Sequence, residues 1–180
     1  MHSAHDVLSF WFHELTPKQW FDKDDALDAE VRERFSQLHH RAALCELYEW
    51  RKTPQGRLAE IIVLDQFSRN IYRNQSRAFA CDPLALALAQ EAVAQGLDKQ
   101  FKPPQLGFLY LPYMHSESIR IHEIAMELYD QPGLETNFEF EIKHKEILER
   151  FGRYPHRNKA LGRPSTAEEI EFLKQPGSGF

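Results

Sequence analysis

Residues 57–77 read RLAEIIVLDQFSRNIYRNQSR, and the first half of that stretch has almost nothing polar to give to solvent. Set at about 100° per residue, Leu58, Ile61, Ile62, Asp65, Arg69 and Tyr72 form one stripe, while Val63, Leu64, Phe67 and Ile71 occupy the opposite side. A helix that is apolar nearly all round belongs at the centre of a protein, packed on both sides. Asp65 and Arg69 are then carried inside with it. They stand four residues apart, acid before base, so they can pair, and burying either charge alone would cost on the order of several kcal/mol. Ser68 flanks the same face and Gln66 and Arg73 lie further round it, so the patch either closes a structural network or lines a pocket.

The rest of the chain reads as helices too. Between residues 24 and 50, Leu27, Val31, Phe35, Leu38, Ala42 and Cys45 recur at steps of three and four, the period of one helix face. Thr53 and Pro54 offer an N-cap and a first-turn proline for a helix over about 54–73. Asp82 and Pro83 repeat that start signal, and Gly96 closes the segment. In PPQLGFLYLPYMHSES a short helix is expected to end near Pro112, because proline disfavours helix in the residue before it, with the next running from about Ser116 to Tyr129. Residues 134–151 keep the helical period and Gly152 ends it, while Ser165 and Glu168 have capping-box spacing ahead of a final helix. No stretch alternates apolar and polar residues over strand length, and hairpin signals are absent. The expected fold is all-α, one domain over residues 1–180.

Composition narrows the function. Acidic residues outnumber basic ones, 27 to 22, for a formal charge of −5, which disfavours nucleic acid and anionic membranes as partners. Cys45 and Cys81 are too few for a disulfide framework and fit reduced thiols in a cytoplasmic protein. The N-terminal residues lack the basic and apolar regions of a secretory signal, and no apolar run approaches the ~20 residues that span a bilayer.

Against this acidic background RFGRYPHRNKALGRPS, residues 150–165, carries Arg150, Arg153, Arg157, Lys159 and Arg163 with no acid. Its glycines and prolines break regular helix, so guanidinium forks and amides can converge on a carboxylate or phosphate. The bland alternative is that the arginines cap helices and pair with surface acids. YPHRN sets His156, Arg157 and Asn158 in one constrained turn. His115, Ser116 and Glu117 fall at a helix junction, where a histidine could move a proton. His144 shares a face with Phe140 and Phe151. No H-E-x-x-H, C-x-x-C or aspartate-rich loop occurs, so neither a metal nor any other cofactor is expected. Nucleophile elbows and glycine-rich phosphate loops are missing as well.

LDQFSRNIYR, ACDPLAL, YLPYMHSES, FGRYPHRN, LGR and STAEEIEFL, in that order, resemble a widespread bacterial family of uncharacterised proteins grouped with the tetratricopeptide-like helical superfamily. The resemblance runs from VLSFWF, residues 7–12, to the PGSGF tail, residues 176–180. It implies helical hairpins stacked in an α-α superhelix and brings no activity or catalytic residue with it.

Two expectations of function follow. In the first, Asp65, Arg69, Arg73, His115, Ser116, Glu117, His144, Arg153, His156, Arg157, Asn158 and Arg163 line a central pocket for a small anionic or polar molecule. An enzymatic extension makes His115 or His156 a general acid or base oriented by Glu117. In the second, the chain is an interaction scaffold that presents a groove to a peptide or protein partner. If the polar motifs only tie helices together, neither holds.

Overall fold

The computed structural model describes residues 2–179 and shows helices with no strand among them. Phe180, the end of the PGSGF motif, lies outside the described residues. Helix α1 (Ala4–Ser9) starts at Ser3, whose hydroxyl accepts from Asp6 N while the Asp6 carboxylate accepts from Ser3 N, and passes into a π-helical turn at Phe10–Glu14. Helix α2 (Pro17–Phe21) is short. Helix α3 (Asp25–Ala43) buries Leu27, Val31, Phe35, Leu38 and Ala42, the stripe its period predicts. Cys45 is the exception. It lies beyond the helix at φ 59° and is exposed, so it contributes nothing to that face.

The central segment comes in three parts: α4 (Pro54–Ile62), a π-helical turn at Val63–Phe67 and α5 (Ser68–Ile71). Thr53 caps α4, its hydroxyl accepting from Gly56 N at 3.0 Å. A Cβ on Gly56 would stand 2.0 Å from the Trp50 carbonyl oxygen, so only glycine fits under that turn. Leu58, Ile61, Ile62, Val63, Leu64 and Phe67 are each at most 1% exposed, as a centrally packed helix requires. At about 1.5–3 kcal/mol per large apolar side chain, burial of this segment contributes substantially to the fold.

Helix α6 (Asp82–Ala94) ends at Gly96, φ 68°, and is followed by α7 (Gln105–Met114), α8 (Ile119–Tyr129) and α9 (Glu135–Phe151), which ends at Gly152, φ 69°. Each of α6 to α9 packs on the next, and α4 touches α1, α6 and α7 from the middle. Two boundaries differ from the sequence expectation. Pro112 lies inside α7, which runs two residues past it, where the proline ring is itself buried among apolar neighbours. Helix α8 starts at Ile119 rather than Ser116, because the residues between hold side chains from elsewhere in the chain.

A 3₁₀ turn at Pro155–Arg157 leads to α10 (Asn158–Leu161) and α11 (Ala167–Leu173). The capping box of α11 is Thr166 with Glu169, one residue later than Ser165 with Glu168. Glu169 is the acid that is itself buried and gains Arg153 and the buried Asn158 as partners, and that selects the register. Ile147, Leu148 and Tyr154 form a smaller apolar cluster here, flanked by Phe151 and Phe172.

Candidate functional site

Asp65 lies in the π-helical turn of the central segment and is 1% exposed. Such turns displace the regular ladder of hydrogen bonds and recur at functional positions. Arg69, one turn on, donates from Nη1 to the Asp65 main-chain oxygen at 2.8 Å and to its Oδ1 at 3.2 Å. The intrahelical pair expected from sequence therefore forms. The same guanidinium also grips Asp82 with both arms, Nη1 to Oδ1 at 2.8 Å and Nη2 to Oδ2 at 3.0 Å. Asp82 opens α6 without capping it by its side chain, which leaves the carboxylate free for arginine.

The fourth member is His115, the residue that ends α7. Its Nδ1 lies 2.6 Å from Asp65 Oδ1, so the buried carboxylate accepts the ring N–H and leaves Nε2 as the basic nitrogen. No hydrogen bond reaches that Nε2 among the described residues, and the side chain keeps 16% of its exposure. Burial and the Arg69 charge push the His115 ring below the usual histidine range, so it is neutral near pH 7. Burial opposes ionisation of Asp65; the His115 ring, Arg69 and the Gln66 amide outweigh it and hold the carboxyl below its usual range.

Arg157 completes the cluster from the C-terminal turn. It donates from Nη2 to the His115 carbonyl at 2.8 Å and has Nη1 3.4 Å from Asp82 Oδ2. Its guanidinium lies over the rings of Phe79, at 4.6 Å, and Tyr154, at 4.7 Å. Only 7% of the side chain is exposed, and its Nε is buried without a hydrogen-bond partner. Burial, with Arg69 nearby, lowers its pKa.

Around this core the residues 114–117 are held one by one. The Tyr154 hydroxyl donates to Met114 O at 2.6 Å, Arg157 takes His115 O, and His122 Nε2 lies 2.8 Å from Ser116 O. His122 in turn has Nδ1 2.5 Å from Glu141 Oε1, both side chains wholly buried, and burial pushes the Glu141 carboxyl up. The carboxylate of Glu117 is bound by Arg163, at 2.8 and 2.9 Å, and by Tyr154 N at 2.7 Å. It is therefore Asp65, not Glu117, that orients His115.

The sequence-derived candidates thus divide. Asp65, Arg69, His115 and Arg157 meet. His156 and His144 flank them behind Tyr154, their rings 5.6 Å from its ring; burial pushes them down to about 4 and about 3. The Ser116 carbonyl and Glu117 belong to the segment that carries His115. Arg153 and Asn158 bind Glu169, and Arg163 joins Asn158 to Glu117, tying the last two helices down. Arg73 turns away to Asp28 on α3. Asp82, Tyr154, His122 and Glu141 are not among the site residues read from the sequence. Asp82 stands there only as a helix-start signal beside Pro83.

Two surface depressions, about 520 Å³ beside Lys18, Asp22 and Asp25 and about 380 Å³ beside Tyr129, Gln131 and Phe138, lie apart from the cluster, none of whose residues lines them. Among the described residues no group of three or more His, Cys, Asp or Glu is placed to hold a metal ion.

Among the described residues the protein is all-helical, with a carboxylate, guanidinium and imidazole cluster between its helices. The chain belongs to a bacterial family: residues 7–177 match the one described as "Bacterial protein of unknown function (DUF924)". It is also similar to a solved structure, that of a protein of unknown function, ATU0120, from Agrobacterium tumefaciens, with 38% identity and a TM-score of 0.89 over 95% of this chain and 96% of that one. No curated protein matches it.

Proposed function

We propose that the protein binds a small polar or anionic molecule at the open edge of the Asp65, His115 and Arg69 cluster. One observation carries this reading: a buried aspartate fixes a histidine by Nδ1 while the opposite ring nitrogen stays unengaged and the ring partly exposed. His122, by contrast, spends both nitrogens, on Glu141 and on the Ser116 carbonyl. Arg69, 20% exposed, supplies a cation at the same edge, and Arg157 stands behind it. We place the protein in the cytoplasm; no helix among the described residues is long and apolar enough to cross a membrane.

A thermal-shift screen of metabolites, nucleotides and inorganic anions tests the reading, because a ligand of the native state raises its apparent stability. The expected result is a stabilising anion or polar metabolite whose effect is lost in His115→Ala. Shifts that survive in His115→Ala, or no shift at all, would return the cluster to a purely structural role.

A second reading is a tetratricopeptide-like scaffold for a peptide. It draws on Ile119 and Ile124 of α8 and Phe140 of α9, apolar side chains left 39–44% exposed. A partner whose binding is lost on Ile124→Glu with Phe140→Glu, and kept on His115→Ala, would favour it.

A further inference from the structure

The charges of the cluster are already balanced. Asp65 and Asp82 answer Arg69 and Arg157, and Glu117 answers Arg163. With His115 neutral these three acids and three arginines sum to zero, although they are mostly removed from solvent. An anion entering at the His115 edge would leave one negative charge without a partner in a region where unpaired charge is costly. A proton arriving with it removes the imbalance.

We propose that this site takes an oxyanion, carboxylate or phosphate-like, together with one proton, and that the proton settles on Nε2 of His115. The inference rests on the binding reading above and names the ligand's charge and the acceptor of the proton. No covalent bond is made or broken: the proton leaves solvent, Nε2 gains N–H, and that N–H donates to an oxygen of the anion.

The charged and titratable groups that act on the His115 ring come from several elements, with Tyr154 and the His122–Glu141 pair holding the backbone on either side of it. From the central segment, Asp65 accepts the Nδ1 hydrogen and Arg69 repels a second positive charge until an anion screens it. From α6, Asp82 is spread over Arg69 and Arg157. From α9, His144 is deeper, its Nδ1 2.7 Å from the Phe140 carbonyl oxygen, and from the C-terminal turn His156 lies half-buried beside Tyr154; both protonate only in more acid solution. His115 also terminates α7, and the carbonyl end of a helix favours an imidazolium. Asp65 already occupies Nδ1, so Nε2 is the position left for the proton.

Acetate and nitrate are suitable probes because neither titrates near neutral pH. Their dissociation constants for the full chain are measured across a pH series from about 6 to about 8, where an unperturbed histidine would be titrating. Uptake of one proton makes the constant weaken about tenfold per pH unit between the pKa of His115 in the free protein and its higher pKa in the complex. His115→Asn should bind with no such slope. Binding that is independent of pH in the native protein, or that keeps the slope in His115→Asn, overturns the proton assignment while leaving the binding site standing. Failure of both anions to bind at any pH removes the oxyanion class, and metabolite shifts in the thermal screen then show whether the site itself survives. If His115→Asn does not fold, the Nε2 resonance of the native protein reads the same proton directly: an imidazolium signal on adding acetate supports the assignment, and an unchanged neutral ring overturns it.

Discussion

Arg69 and Asp82, thirteen residues apart, form a two-armed bond of 2.8 and 3.0 Å that joins the central helix to the start of α6. Through the same Nη1 the arginine also holds Asp65, so one guanidinium answers two mostly buried carboxylates. Arg69→Ala should therefore cost about 3–5 kcal/mol of stability, the usual consequence of stranding a buried charge. Urea denaturation of Arg69→Ala, Asp82→Asn and the double variant checks this: the double variant should lose much less than the two singles together. Additive losses would mean that the pair does not act as a unit.

His39 and His144, 3% and 5% exposed, are pushed by burial to about 4 and about 3. Both rings protonate more readily in the unfolded chain, near the ordinary value of about 6.5. Their contribution is fully present above that pH and is lost as the pH falls toward the folded values, by about 1.4 kcal/mol per unit for each ring. Stability measured by denaturant should drop steeply from about pH 6 to about pH 4. His144→Gln, which cannot titrate, should show a visibly shallower decline, and an unchanged slope would argue against a buried neutral His144.

Glu169 is held at about 2, chiefly by Arg153 and then by the Thr166 amide. Thr166→Ala should lose about 1 kcal/mol, the ordinary worth of an N-cap, whereas Ser165→Ala should change thermal stability little. The reverse order would restore the Ser165 register read from the sequence.

Tyr154→Phe removes the hydroxyl that binds Met114 O and lies 3.1 Å from His122 Nε2. A loss of about 1–3 kcal/mol follows from the stranded buried partners. Because Met114 precedes His115, the variant should also move the His115 ring resonances in a heteronuclear spectrum. Stability loss without that movement would separate Tyr154 from the site.

Local patterns carried much of this architecture. The three-and-four spacing of α3, the Thr53 and Pro54 start, Gly96, Gly152 and the inward burial of Asp65 with Arg69 are all short-range consequences of sequence. The remainder depends on partners far along the chain. Asp82 looks like a cap until Arg69 is seen to claim it, Glu117 looks like the orienting acid until Arg163 takes it, and His122 meets Glu141 only because α8 packs on α9. Pro112 and the one-residue shift to Thr166 show tertiary contacts overriding local preference.

The most direct test of the account is the nitrogen-resolved spectrum of the His115 ring near neutral pH, before and after a stabilising anion is added. The expected result is a neutral ring with its hydrogen on Nδ1, bonded to Asp65, and an Nε2 signal that shifts on titration. A ring carrying its hydrogen on Nε2, or an Nε2 signal that no ligand moves, would contradict it.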